Sequence, residues 1–378
     1  MRKIAFVHNR FPAGGAERVT MDIARYLDSI GGYRVYVFAS HPGSFTQKCL
    51  TLVKIPSQAI QSRRSHYVEK LIKDYQIDIL VEISQSIYDI EGIRRRTGCK
   101  VVLACHGEVF WQRYAIMFRR QKKKLLWNLV NRKRYADGTL AMEKARRRTF
   151  FDYEHCDAYT VLCQDYKCQL ERALALSEPS HIHVIENPEP VVASPNLDKE
   201  KVVMFCGRFE AWSKRIDRLL RIWKQVEDEL GDWHLELVGD GPALADMQRL
   251  AGELALKRVR FEGKRSNMAD YYRRASVVCL TSQTEGWPLA LTEGQANGCI
   301  CVAFGSSAGI VEVLSPSGEC GFVVEPFDEG AYADVLRKIA AMSDEESKKL
   351  RINGIDKRKQ YRPEVIAEKW KVLFDSLF

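Results

Sequence analysis

Short apolar runs recur along the chain and alternate with longer segments whose apolar positions return at helical spacing. Residues 4–8 read as a strand, and Gly14-Gly15-Ala16-Glu17 opens a helix to about Asp28. A second strand follows at 33–39. A helix at 65–75 feeds a strand at 77–83, and a helix at 89–97 precedes a strand at 100–105. After a basic and aromatic stretch over 110–150 come strands at 158–162 and 183–185. A second series starts at Val202, with strands at 202–206, 234–238, 259–262, 277–280, 301–304 and 321–324. Helices near 215–230, 242–255, 267–274, 288–297 and 329–341 separate them, and 363–377 is amphipathic enough for a last helix. Such βαβα alternation predicts an α/β protein with doubly wound parallel sheets.

Pro188, Pro190 and Pro195 punctuate a region with no helical period. The predicted division is therefore a Rossmann-like domain over 1–190, a linker at 191–200, a second Rossmann-like domain over 201–360, and a terminal helix at 361–378 expected to pack back on the first domain. Two such domains would face a central cleft, each with the ligand-facing edge of its sheet.

The 378 residues, 46% of them hydrophobic, suffice for two full cores and exclude a disordered or fibrous chain. The start is too weakly apolar for a signal peptide, and no run approaches the roughly 18 apolar residues of a membrane span. A cytoplasmic protein is expected. The eleven cysteines are scattered without a Cys-x-x-Cys pair, mostly in strand-like settings, and read as reduced core residues. The net charge of +9 is uneven: residues 1–195 hold 31 Lys or Arg against 20 Asp or Glu, and 196–378 hold 27 against 29. The first half is expected to face something anionic.

The candidate chemistry centres on Glu285 and Glu293, in the run Glu285-Gly-Trp-Pro-Leu-Ala-Leu-Thr-Glu293. Glu285 follows a predicted strand, and Glu293 lies in the first turns of the next helix. In an open α/β sheet ligands bind at that end. The backbone N–H groups of residues 288 to 292, including Leu289, Ala290, Leu291 and Thr292, are expected to open the helix and offer an anion or hydroxyl site. From the pair alone, a loop acid beside an ordinary helix-surface acid explains the pattern equally well.

Further pieces change that balance: His8-Asn-Arg-Phe-Pro-Ala-Gly-Gly-Ala-Glu17, Phe205-Cys-Gly-Arg-Phe209 with Lys214, Leu237-Val-Gly-Asp-Gly-Pro242 and Val259-Arg-Phe-Glu-Gly263. In this order and spacing they resemble the retaining nucleotide-sugar glycosyltransferases of family 4, whose fold is GT-B, over most of the chain. The resemblance implies that Arg208 and Lys214 grip the donor's diphosphate, whose charge grows as the glycosidic bond breaks. It assigns Glu285 to hydroxyls of the donor sugar and Glu293 to the ribose hydroxyls, since a carboxylate accepts more than one hydroxyl hydrogen bond. It places Gly15 near the distal phosphate or the acceptor, Leu289 to Thr292 and Gly239 in the donor site, and His106 near the donor sugar as an orienting contact. Glu17 and Glu108 are weaker neighbours of that site. Attack from the same face, with the departing phosphate oxygen taking the acceptor's proton, is the usual proposal for the class.

The Gly14-Gly15 turn lacks the full G-x-G-x-x-G pattern, which argues against a nicotinamide cofactor. No Asp-x-Asp stands at a strand end, and Glu227-Asp-Glu229 reads as the solvated face of a helix. No metal and no cofactor are expected, the nucleotide sugar being a substrate.

Between Arg119 and Arg148 stand twelve Lys or Arg and two acids, with Trp127 and Tyr135 interleaved and Phe110, Trp111, Tyr114 and Phe118 just before. Docking of 110–150 on an anionic membrane surface is favoured over a solvated helix or an anionic acceptor, and nucleic-acid binding is not expected. The resulting expectation is a glycosyltransferase using a UDP- or GDP-type sugar and a saccharide or lipid-linked acceptor, in cell-surface polysaccharide assembly at the inner face of the membrane. A non-hydrolysing sugar-nucleotide epimerase and a non-catalytic docking module are the alternatives.

Overall fold

A computed structural model describes residues 1–12, 15–45, 47–56, 61–83, 89–111, 113, 139–176, 180–189 and 192–378. The chain divides into two compact bodies, Met1–Pro188 with Pro363–Phe378, and Glu189–Arg362. Gly14, Pro190, Tyr114, Phe118, Trp127 and Tyr135 lie outside the described residues, as does most of the basic stretch.

The first body holds β1 (Arg2–Phe11), α1 (Gly15–Ile30), β2 (Tyr33–Pro42), β3 (Thr51–Lys54), α2 (Gln61–Tyr75), β4 (Ile79–Glu82), α3 (Ile90–Thr97), β5 (Lys100–Ala104), α4 (Thr139–His155), β6 (Ala158–Val161), α5 (Gln164–Leu174) and β7 (Ile182–Val184). Its seven strands are parallel, in the order β3-β2-β1-β4-β5-β6-β7. The run Ile4-Ala5-Phe6-Val7 is wholly buried, as a strand covered on both faces requires. α1 turns Val19, Thr20, Ile23, Ala24 and Leu27 inward.

The second body holds β8 (Glu200–Cys206), α6 (Ile216–Val226), β9 (His234–Val238), α7 (Leu244–Glu253), β10 (Val259–Gly263), α8 (Met268–Arg274), β11 (Ala275–Leu280), α9 (Leu289–Ala296), β12 (Ile300–Phe304), α10 (Ala308–Leu314), β13 (Phe322–Val324), α11 (Glu329–Ala340) and α12 (Asp344–Arg358). Its sheet, also parallel, runs β10-β9-β8-β11-β12-β13. The last helix, α13 (Pro363–Ser376), belongs to the first body, where Trp370 meets Phe6 edge-on at 6.5 Å.

Both sheets reverse direction of growth beside their first strand, between β1 and β4 and between β8 and β11. At such a switch point the flanking connections leave on opposite faces and open a crevice at the carboxyl ends of the strands. No helix among the described residues is long and apolar enough to cross a membrane. All eleven cysteines are free, eight of them buried.

Several elements differ from expectation. The short edge strand β3 and the helices α10 and α12 were not predicted, and α4 begins within the basic stretch and runs past its end. α12 hides from a hydrophobic pattern because its buried face carries Arg351 and Arg358 besides Leu350 and Gly354. Arg351 donates through one guanidinium nitrogen to the carbonyls of Ser276 and Gly298, both at 3.2 Å. Glu227, expected on a solvated face, is 1% exposed and takes backbone N–H bonds from Lys257 (2.9 Å) and Arg258 (2.6 Å). It caps the start of a neighbouring strand connection, so its charge is spent internally.

Candidate active site

In the second body the chemistry collects at the β8/β11 switch point. β8 and β11 pair directly, Val203 opposite Val277 and Met204 opposite Val278. The chain leaving β8 therefore runs beside the chain leaving β11. The first carries Arg208 and Lys214, and the second carries Glu285.

Three contacts stitch the two connections together. The Gln283 N–H donates to the Ser213 carbonyl at 2.7 Å, and the Thr281 hydroxyl donates to the Arg215 carbonyl at 3.0 Å. Lys214 Nζ lies 2.5 Å from Glu285 Oε1, which also accepts from the Ser282 hydroxyl at 2.7 Å. The pair is largely shielded, with 26% of the Lys214 side chain and 12% of the Glu285 side chain exposed. Arg215 instead folds back onto Asp217 with bonds of 2.9 and 3.0 Å. Arg208 is 69% exposed, with Nε 3.5 Å from Glu210.

α9 follows the Glu285 loop and brings Glu293 to the same sheet edge. Gly294 lets this helix press on the sheet, since a Cβ there would stand 3.0 Å from Val278 Cγ2 and 3.0 Å from Cys301 Sγ. Trp287, 5% exposed, anchors the loop by donating to Glu189 at 3.1 Å. The helix opening departs from expectation. Pro288 has no N–H, and the Leu291 and Thr292 N–H groups are spent on the Pro288 carbonyl at 2.9 and 3.2 Å. Leu291 and Thr292 are both fully buried, which leaves Leu289 and Ala290 as the residues whose N–H groups head the helix.

Gly239 follows β9 with φ +143°, and a Cβ on it would fall 1.9 Å from the Gly207 carbonyl oxygen. Its N–H donates to the Gly263 carbonyl at 2.9 Å. Gly239 thus lets the ends of β8 and β9 touch, and this backbone contact supports the connection that bears Arg208.

Glu293 has partners that the sequence reading missed. The buried Tyr272 hydroxyl donates to Glu293 Oε2 at 2.8 Å, and Cys206 Sγ lies 2.8 Å from the same hydroxyl. Burial pushes the Tyr272 phenol well above its usual range and the Cys206 thiol up to about 12.

The first body offers a different edge. Gly15 is the first residue of α1, the next element after β1, and Glu17 lies in its first turn. His8, 2% exposed, shares a 2.8 Å hydrogen bond with the Thr20 hydroxyl and stands 3.7 Å from Glu17 Oε1. His106 follows β5 and is half-buried; desolvation, and then the nearby His8, lower its imidazole to about 4. Asn187 and Glu17 act on it in the opposite direction. Glu108 is held by Arg113 at 2.6 Å. His8 and Asn187 had no role in the sequence reading, although His8 stands inside a motif it used. Their signal would have been polar residues at the carboxyl ends of strands.

Residues 13–188 match the model of the Glycosyltransferase Family 4 segment, and residues 200–342 match that of Glycosyl transferases group 1. Two relatives run nearly the full length. An uncharacterized glycosyltransferase of Haemophilus influenzae is 25% identical over 348 residues, 86% of each chain. A Campylobacter jejuni protein, GalNAc-alpha-(1->4)-GalNAc-alpha-(1->3)-diNAcBac-PP-undecaprenol alpha-1,4-N-acetyl-D-galactosaminyltransferase, is 23% identical over 389 residues, 98% of this chain and 97% of that one. Among solved structures, Anabaena Alr3699/HepE in complex with UDP and glucose superimposes with a TM-score of 0.76 at 17% identity, covering 100% of both chains. At that identity the last match speaks for the fold alone. Both halves of the chain, matched in order by the two family models, make it a glycosyltransferase of the GT-B fold, belonging to family 4.

Proposed function

We propose that the enzyme transfers a sugar, with retention of anomeric configuration, from a nucleoside diphosphate sugar of the UDP or GDP type to a saccharide or lipid-linked saccharide in cell-surface polysaccharide assembly. The observation that carries this reading is the Lys214–Glu285 pair, 2.5 Å apart at the β8/β11 switch point and one loop away from the opening of α9. A departing diphosphate needs a cation already in place, and a sugar needs an acceptor for its hydroxyls; the pair offers both.

In this reading Lys214 and Arg208 meet the diphosphate, with the Leu289 and Ala290 N–H groups beside them. Glu285 orients the sugar and Glu293 the ribose. The neutral imidazole of His106 orients a sugar hydroxyl and carries no proton away. The departing phosphate oxygen takes the acceptor's proton as the new glycosidic bond forms on the face the leaving group vacates. In this reading cationic side chains and helix N–H groups carry the diphosphate charge in place of a divalent metal, so turnover should proceed in EDTA. The lipid-linked acceptor named for the Campylobacter relative supports a similar acceptor class here. The charge of residues 110–150 supports docking on anionic lipid, which salt-sensitive sedimentation with anionic vesicles would report.

The test is a thermal-shift panel of UDP- and GDP-sugars followed by turnover with an undecaprenyl-diphosphate oligosaccharide. An α-linked donor should yield an α-linked product by NMR. Inverted product overturns retention, and isomerisation of the donor without acceptor identifies an epimerase instead.

A further inference from the structure

We propose that Tyr272 is the positioning residue for Glu293, and that through it the enzyme distinguishes a ribonucleotide donor from a deoxyribonucleotide. The proposal rests on the reading above that Glu293 meets the donor's ribose hydroxyls.

The hydrogen-bond chemistry leaves a single arrangement of the three groups. A carboxylate only accepts, so the Tyr272 hydroxyl gives its one proton to Glu293 Oε2 over 2.8 Å. The phenolic oxygen then accepts from the Cys206 thiol, 2.8 Å away. Donation runs one way, from the end of β8 through α8 to α9. Each bond strengthens the next, and a buried donor aimed at a carboxylate is stronger than a neutral pair.

The base of the device is fixed as firmly. The Tyr272 carbonyl accepts from Lys199 Nζ at 2.8 Å and from the Cys299 thiol at 3.2 Å. The same ammonium donates to the carbonyls of Arg273 at 3.1 Å and Asn297 at 2.7 Å. Arg273 lies in the last turn of α8, and Asn297 caps the C-terminus of α9. One cation therefore ties together the negative ends of the two helices that carry Tyr272 and Glu293. Lys199 stands just before β8, so the tie is anchored to the sheet itself.

Binding costs less when the carboxylate that meets the ligand is already held, and the Tyr272 hydroxyl contributes to holding Glu293 in the folded protein. The carboxylate then meets the ribose already oriented, which raises affinity only for ligands that offer it hydroxyls. A deoxy ligand gains nothing from an oriented acceptor.

The experiment compares wild type, Tyr272→Phe and Glu293→Gln by calorimetric titration with UDP or GDP, whichever raises the melting temperature of the wild type, and with its 2′-deoxy and 3′-deoxy forms. Steady-state kinetics accompany it. In Tyr272→Phe, affinity for the ribonucleotide should fall about tenfold, as for loss of a hydrogen bond to a charged group. Affinity for at least one deoxy form should stay within about twofold, so that the discrimination ratio collapses. Donor KM should rise while kcat and acceptor KM stay nearly unchanged.

Equal loss for ribo and deoxy forms, or a loss confined to kcat, means general packing and overturns the proposal. If Glu293→Gln collapses the ratio and Tyr272→Phe does not, Tyr272 is not the positioning residue while the ribose reading stands. If Glu293→Gln leaves the ratio intact, the ribose reading itself has failed and the proposal falls with it. Should Tyr272→Phe not fold, Cys206→Ala, which withdraws the thiol donated to the phenol, replaces it. A ratio lowered about two- to threefold is then expected, and an unchanged ratio overturns the proposal.

Discussion

The two bodies share a topology and differ in how they hold charge at the carboxyl edge of the sheet. In the second body the edge is ionic and interlocked, with Lys214 on Glu285, Tyr272 on Glu293 and the strand connections bonded to each other. In the first body two histidines gather instead, with His8 between Thr20 and Glu17, and His106 held neutral by burial. The difference is instructive because the two edges are built from the same α/β plan. A site for a developing anion needs fixed cations, whose cost of desolvation is offset by paired acids. A neutral imidazole such as that of His106 suits hydroxyl groups, which ask for a donor or an acceptor and no net charge.

Removing the central cation should break the comparison most severely. Lys214→Ala is expected to lower kcat by roughly 10²–10³, the usual consequence of losing a charge that stabilises a transition state. Arg208→Ala, at the 69% exposed position, should cost only about tenfold. A kcat within twofold of wild type in Lys214→Ala would remove the catalytic meaning of the ionic edge. Next in size is Gly239→Ala. The new Cβ must push the β8 and β9 ends apart, and a loss of roughly 2–4 kcal/mol in denaturant unfolding is expected. Unchanged stability would show that this backbone contact yields without cost.

The smallest effect sharpens the first-body side. His106 should titrate by NMR with a midpoint near 4. Because the folded-state value lies below the ordinary one of 6.5, the unfolded chain takes up this proton first. The contribution of His106 to stability is thus level above pH 7 and declines as pH falls from about 6.5 to 4. Asp152, raised to about 6 chiefly by burial, runs the other way, since the folded state binds its proton first as pH falls through 6. Comparing wild type with His106→Gln isolates the histidine. A midpoint near 6.5 would mean that burial does not favour the neutral form of His106.

Much of this is legible in the sequence. Continuous apolar runs such as residues 4–7 and 277–280 are what parallel strands buried on both faces require, so the doubly wound plan and the strand positions could be read locally. Glu285 and Glu293 could be proposed because strand ends and helix starts are also local signals, whereas Lys214 alone reads as a solvated loop charge and was singled out by the resemblance. What stayed hidden was of another kind. α12 buries arginines where a hydrophobic stripe was sought, Glu227 turned inward to cap backbone N–H groups, and Leu291 and Thr292 spend their own N–H groups on Pro288.

The sequence by itself determined the alternation of elements, the fold class and the family. Only the tertiary structure decided that β8 lies beside β11, which brings Lys214 to Glu285 across 71 positions, and that α8 meets α9, which brings Tyr272 to Glu293 across 21. The physical reason is range. Side-chain direction repeats every two or 3.6 residues and so leaves its mark within a few positions. A hydrogen bond between distant segments leaves none, because any polar residue at the right place in the sheet order could have made it.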